Sequence, residues 1–214
     1  MALLDLILPP ACAGCGRPGG LLCAACRTRL REPSAPDDRF LAADVGVVVG
    51  EAVTLAIAAF AYEGPMRRTL AALKYAGVGR LAPILADAAA PRLSVLRAVS
   101  GAATLVPIPV HPDRRRERGY NQAALLAREL GRRGGLPTTE CLERTRPTTK
   151  QHRLNRAERL RNLRGAFTAM GRPPDTAILV DDIITTTATL EACAAVLRDA
   201  GCRSVYGLAI AREV

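Results

Sequence analysis

Tryptophan is absent from the sequence, and the aromatic complement of its 214 residues is four tyrosines and three phenylalanines. A surface built from a long row of stacked rings is thereby excluded. Any nucleic-acid contact would rest mostly on charge and be steeply salt-dependent. Histidine occurs only as His111 and His152, neither at ligand spacing to a cysteine. His152, inside an arginine-rich segment, reads as a polar donor rather than a general base. No Ser-His-Asp or Cys-His arrangement stands out, which argues against acyl-transfer hydrolysis. Lysine is nearly missing, with Lys74 and Lys150 set against 28 arginines. Guanidinium suits bidentate phosphate binding, although a GC-rich genome yields the same ratio without selection. No apolar run approaches the ~20 residues of a membrane span. The opening MALLDLILPPA lacks a basic start and meets Pro9 and Pro10 early, so it reads as a packing segment and not as a signal peptide. The expectation is a cytoplasmic protein whose thiols stay reduced.

What is present is globular. Hydrophobic residues make up 49% and charged residues 23%, enough to bury a sizeable core and to exclude wholesale disorder. The net charge of +10 points to polyanionic partners, and it is unevenly placed. Residues 144–165 hold seven arginines and Lys150 against the single acid Glu158. Such a run is either a solvated face or, given its Thr, Gln and Asn donors, a binding element.

Of seven cysteines, Cys12, Cys15, Cys23 and Cys26 form C-x2-C-x7-C-x2-C, while Cys141, Cys193 and Cys202 are scattered. Paired CxxC turns can bring four thiolates to the corners of a tetrahedron around zinc, and the intervening Gly14, Gly16, Gly19 and Gly20 allow tight turns. Two disulfides are the alternative, and a reducing compartment disfavours them. Four thiolates leave no open coordination position, so such zinc would be structural. Cys193, inside a predicted helix, reads as a small apolar filler.

After a Pro- and charge-rich linker at 31–39, the chain alternates between strands and helices. VGVVV and LAIAAFAY within 45–62 read as strands, and 66–77 as a helix following the break at Gly64-Pro65. A helical stretch after Arg80 is expected to be interrupted at Pro91. Strand 104–110, helix 121–133, strand 177–182, helix 188–201 and strand 204–211 complete the pattern. The expectation is an α/β fold with a mostly parallel sheet and right-handed crossovers. It divides into a cysteine lobe with linker at 1–38 and an α/β domain at 39–214.

The sharpest feature is the run from Ala177 to Thr189. Four apolar residues are followed by Asp181 and Asp182, then by Thr185, Thr186, Thr187, Ala188 and Thr189 at the start of a helix. Ligands of open α/β sheets bind outside the carboxyl ends of strands. A helix start with added hydroxyls is an anion site, and two carboxylates beside it can accept from a diol. Together they describe a ribose 5-phosphate. In the plainer alternative, Asp182 is a cap or surface residue and the threonines are N-caps.

The run VDDIITTTAT resembles the phosphoribosyl pyrophosphate (PRPP) motif of type I phosphoribosyltransferases. The chain as a whole is similar to the ComF family, which joins an N-terminal cysteine zinc finger to such a domain. LKYAG (73–77), VPIPVHPDRRRERGYNQA (106–123), T-x-x-Q (148–151), ERLRN (158–162) and GAF (165–167) match in the expected order. The resemblance implies a type I phosphoribosyltransferase-like, Rossmann-like sheet with a small N-terminal zinc-binding lobe. It assigns Asp181 and Asp182 to the ribose hydroxyls of PRPP, residues 185–189 to its 5-phosphate, and Mg²⁺ to its pyrophosphate. Arg114, Arg116, Arg118, Tyr120, Asn121, Gln122, Lys150, Gln151 and Arg159 become candidates for pyrophosphate or DNA contacts, with Tyr120 a base-stacking ring. The segment 144–165 is similar to the loop that closes over PRPP. No catalytic residue is assigned; an active enzyme would displace pyrophosphate from the anomeric carbon with an unidentified nucleophile. The family also implies single-stranded DNA and proteins of DNA uptake as partners. Family members usually carry glycine where this chain has Thr187, and a β-branched residue fits there only if its φ is negative.

Overall fold

Nearly continuous burial along the strands builds two cores, one on each face of a central sheet. A computed structural model describes residues 9–33, 47–48, 50–146, 163 and 165–213. In chain order the elements are α1 (Ala24–Arg27), β1 (Val47–Val48), β2 (Leu55–Ala61), α2 (Gly64–Tyr75), α3 (Leu81–Ser100), β3 (Thr104–Pro107) and α4 (Pro112–Arg118). They continue with α5 (Gln122–Gly134), β4 (Leu142–Arg144), β5 (Phe167–Ala169), β6 (Thr176–Ile184), α6 (Ala188–Asp199) and β7 (Ser204–Arg212). The sheet runs β1-β2-β7-β6-β3, parallel throughout except for the antiparallel β1 edge. This is the expected Rossmann-like α/β architecture.

Side chains of a strand point alternately to its two faces. Ile178 and Val180 of β6 therefore join Ile57, Leu70, Leu85, Leu93, Leu126 and Leu130 beneath α2, α3 and α5. Ala177 and Leu179 turn the other way and meet Leu190, Cys193 and Leu197 of α6 together with Phe167 of β5. Two neighbouring strands thus send helices to opposite faces: β3 leads through α4 to α5, and β6 leads to α6.

Three expectations need correction. The helix expected to stop at Pro91 runs unbroken from Leu81 to Ser100. Pro91 is exposed while Ala89, Leu93 and Leu96 are buried, so the missing hydrogen bond falls on the solvent side, where water can replace it. The strand expected over 104–110 ends at Pro107. The strand expected to end at Asp182 extends to Ile184, because β7 pairs with it as far as Arg212.

Two features were not foreseen. HPDRRRERG closes into a short helix, with Pro112 in the first turn and Gly119 at φ 80° as its left-handed cap. β4 and β5 pair antiparallel, Arg144 opposite Phe167, and Thr145 N donates to Ala166 O at 3.0 Å. The described residues on either side of the arginine-rich segment thus lie next to each other. No helix among the described residues is long and apolar enough to cross a membrane.

Candidate functional site

β3 pairs with β6 only as far as Val180, and beyond Ile108 N, which donates to Val180 O, this edge of β6 is open among the described residues. Because the helices after β3 and β6 depart to opposite faces, a crevice forms outside their carboxyl ends, the place where open α/β sheets bind ligands.

Asp181 and Asp182 line this open edge and, by the same alternation that builds the cores, face opposite ways. Asp182 continues the Ile178–Val180 face, is 6% exposed, and meets Lys74 Nζ of α2 at 3.0 Å. Asp181 continues the other face. Its charge reaches Cys193 of α6 and Arg144 of β4, and its Oδ1 accepts from Asp182 N at 2.8 Å. Burial, and then the neighbouring Asp182 charge, push the Asp181 carboxyl up to about 8, with Lys74 pulling in the opposite direction. For Arg144, burial is the main influence and lowers its pKa; nearby Arg114 adds to that, while Asp181 counteracts it. Its guanidinium lies 5.4 Å from the Phe167 ring centroid. Arg114, Arg144 and Asp181 are therefore electrostatic neighbours.

The threonine turn follows directly. Thr185 is exposed, Thr186, Thr187 and Thr189 are half-buried, and Ala188 is buried. Thr187 caps α6 at φ −66°, and no described residue other than glycine has a positive φ. The strain that a threonine in place of glycine would have brought is absent. The first α6 amide bonded back to this turn is Glu191 N, to Thr187 O, so the preceding amides point out of the helix end. Glu191, the only acid of the first turn, accepts from Ala52 N at 2.9 Å and lies against Gly50, already committed to the preceding loop.

The arginine candidates divide. Arg114 and Arg116 are exposed on α4, ion-paired with Glu117 and Asp113 of the same helix, and Arg115 reaches Glu140. Arg118 has no carboxylate partner among the described residues and stands 5.3 Å from the Tyr75 ring centroid. The three residues after Gly119 serve the fold. Tyr120 donates its hydroxyl to Leu73 O, tying α2 to α5. Asn121 caps α5 by accepting from Ala123 N at 3.0 Å and donates to Ile108 O at 3.0 Å, pinning the end of β3. Gln122 is buried in the first turn of α5. Lys150, Gln151 and Arg159 lie outside the described residues, as does His152.

Sequence reasoning missed Lys74, Tyr75 and Arg144 as site residues. For Lys74 a signal existed. In a chain that uses arginine almost everywhere, a retained lysine marks a position where a compact ammonium is needed.

The second candidate site is the cysteine lobe. The Sγ atoms of Cys12, Cys15, Cys23 and Cys26 all lie within 4.8 Å of one another, and Cys15 and Cys23 are 3.7 Å apart. A tetrahedron with Zn–S bonds of about 2.3 Å has edges of roughly 3.8 Å, so the thiols fit one zinc ion. Burial pushes the Cys12 thiol up, but backbone amides of Cys23, Cys15 and Gly14 outweigh it and bring it down to about 6. Cys26 is pushed up to about 12 by burial and by the three neighbouring sulfurs, a repulsion that a shared cation would relieve. The lobe is seated on α2. Gly14 presses against Cys26 and Pro65 so closely that a Cβ would stand 2.8 Å from the Cys26 sulfur, and Arg68 donates to Gly14 O.

Comparison with known proteins gives part-length likenesses. No protein-family model matches the chain. It is 37% identical over 112 residues to competence protein F of Haemophilus influenzae, 49% of each chain. The same part-length likeness extends to the DNA utilization protein YhgH of Escherichia coli K12, 33% identical over 115 residues, and to its Shigella flexneri counterpart at 32%. The chain spans about half the length of the curated relatives it matches, 49% in each case.

Proposed function

We propose that this chain binds PRPP, or a closely related phosphoribosyl ligand, in the crevice outside β3 and β6, in a cytoplasmic pathway of DNA uptake. One observation carries the reading: an acidic pair and a threonine-lined helix start adjoin where two neighbouring strands send their helices to opposite faces. The 5-phosphate would take the first amides of α6 and the hydroxyls of residues 185–189. Ribose hydroxyls would donate to Asp181 and Asp182. Arg114, Arg116 and Arg118, with Lys150, Gln151 and Arg159 from the arginine-rich segment, are proposed for the pyrophosphate. Mg²⁺ would arrive on the ligand's own oxygens. Asp181, once the ion displaces the proton it holds, is the carboxylate better suited to it, since Asp182 already pairs with Lys74.

On this reading residues 39–214 form a type I phosphoribosyltransferase-like unit, and residues 1–38 a zinc lobe with its linker. If the chain is an enzyme, it displaces pyrophosphate from the anomeric carbon. Calorimetric titration with PRPP and Mg²⁺ tests the reading. Saturable binding that is lost in Asp181→Asn, Asp182→Asn supports it, and the absence of any binding heat or thermal shift in the wild type refutes it.

Single-stranded DNA is the second proposed ligand. It is favoured by the names of the relatives, a competence protein and a DNA utilization protein, and by the exposed arginines of α4. The two ligands are compatible, because one could regulate binding of the other.

A further inference from the structure

Tyr75 is the one aromatic ring that stands exposed among the described residues, with 63% of its surface accessible. Phe167 is buried, and Phe60, Tyr62 and Tyr206 are half-buried against the main core. Tyr120, which the sequence offered as a stacking ring, is half-buried with its hydroxyl fixed to Leu73 O.

Its position is informative. Tyr75 is the last residue of α2 and directly follows Lys74, whose ammonium holds Asp182, so the ring stands at the rim of the crevice. Across from it, the Arg118 guanidinium lies 5.3 Å from the ring centroid. Arg118 ends α4, the helix that also exposes Arg114, Arg115 and Arg116. Nucleobases stack both on aromatic faces and on guanidinium planes, while arginines take the flanking phosphates. An apolar peptide would seek a wider greasy patch than one ring between a lysine and an arginine.

We propose that Tyr75 and Arg118 form a base-stacking clamp for single-stranded DNA at the crevice rim, with the α4 arginines holding the adjoining phosphates. The proposal rests on the single-stranded DNA reading above and adds to it where the bases are gripped. It also moves the stacking role from Tyr120 to Tyr75.

Fluorescence anisotropy with a labelled oligothymidylate and an abasic strand of equal length separates base from backbone contacts. The wild type should bind the thymidylate roughly tenfold more tightly than the abasic strand. Tyr75→Ala should erase that margin without weakening the abasic strand, and Tyr75→Phe should keep it. Arg118→Met should weaken both strands, because it removes a charge as well as a stacking plane. Free thymine at millimolar concentration should not displace the strand; displacement would make the clamp a pocket for a free base and overturn the DNA assignment. If the wild type binds both strands equally, or Tyr75→Ala keeps the margin, the clamp is wrong while the DNA reading stands. If the wild type binds neither strand, both fall. The exposure of Tyr75 keeps folding out of the comparison, and a matched thermal melt of Tyr75→Ala verifies it.

Discussion

Lys74 Nζ and Asp182 Oδ2 meet at 3.0 Å across the junction of α2 and β6, both largely shielded from water. Burial alone would lower the lysine, but the Asp182 and Asp181 carboxylates outweigh it and hold its pKa above the ordinary value. Removing one partner of such a pair strands the other charge in a poor solvent. Lys74→Met should therefore lose about 3 kcal/mol of stability near neutral pH in urea denaturation. The native state holds its lysine proton more tightly than the unfolded chain does. The contribution is fully present below the ordinary lysine value of about 10.4 and is lost as pH rises through the higher native value. The gap between wild type and variant should narrow only in strongly alkaline solution.

Asp181 behaves in the opposite sense. Its carboxyl, pushed up to about 8 chiefly by burial, keeps a proton that the unfolded chain releases above about 4. Between those values the native state binds more protons than the unfolded state, so this residue makes stability fall as pH rises. Asp181→Asn should be indistinguishable from wild type near the acid end of that window and increasingly more stable towards its alkaline end, by at most about 1.4 kcal/mol for each pH unit. The same variant should lose PRPP affinity. Urea melts across the pH range, beside a PRPP titration, check both effects, and a flat pH difference would contradict the burial of this carboxyl.

In the cysteine lobe, metal and fold should be inseparable. Among the described residues, only Leu22 joins Cys12 and Cys26 in the lobe's own buried cluster, too little core to hold these residues alone. Protein purified without chelator should carry about one zinc per chain by mass spectrometry under native conditions. Cys26→Ser, or prolonged chelation, should release it and raise amide exchange over residues 9–33, with protection of β6 and β7 retained. Metal-free protein with the lobe still protected would refute the assignment.

Much of this arrangement was legible in the residues themselves. The strand–helix alternation gave the parallel sheet, and Cys12 to Cys26 gave their own cluster. What escaped was whatever depends on pairing between distant segments. Asp182 looked like the last residue of a strand until β7 carried β6 on to Ile184. Pro91 looked like a helix end because periodicity alone does not reveal that its missing hydrogen bond faces water. RGYNQ reads as a ligand-contact motif and does not reveal that Tyr120 and Asn121 also hold strands and helices in place, nor that among the described residues the exposed ring is Tyr75. Exposure is a property of the packed chain, and a tyrosine inside a helical stretch carries no local mark of it.

Thr187 tests how strictly the phosphate turn needs glycine. At φ −66° the backbone is relaxed for any residue, and the threonine side chain makes no capping hydrogen bond. Thr187→Gly should then cost only a few tenths of a kcal/mol in stability. It should leave PRPP affinity within about threefold, since it relieves no strain and removes at most one neutral hydroxyl donor. A gain of tenfold or more on calorimetry would mean that the β-branched side chain obstructs the phosphate.

The arginines of α4 should not contribute equally to DNA binding. Arg114 and Arg116 already face Glu117 and Asp113 of their own helix, whereas Arg118 has no carboxylate partner among the described residues. A strand approaching α4 displaces those acids only by giving up their attraction, so the local field is weaker than four arginines imply. Each phosphate contact to single-stranded nucleic acid contributes about 0.7 to the slope of log affinity against log salt. Arg118→Ala should reduce that slope by about this amount, and Arg116→Ala by clearly less. Asp113→Asn with Glu117→Gln should act the other way, tightening binding as the guanidiniums are released. Anisotropy titrations at four or more salt concentrations read all three, and equal slopes for Arg116→Ala and Arg118→Ala would show that the helix's own acids do not shape the interface.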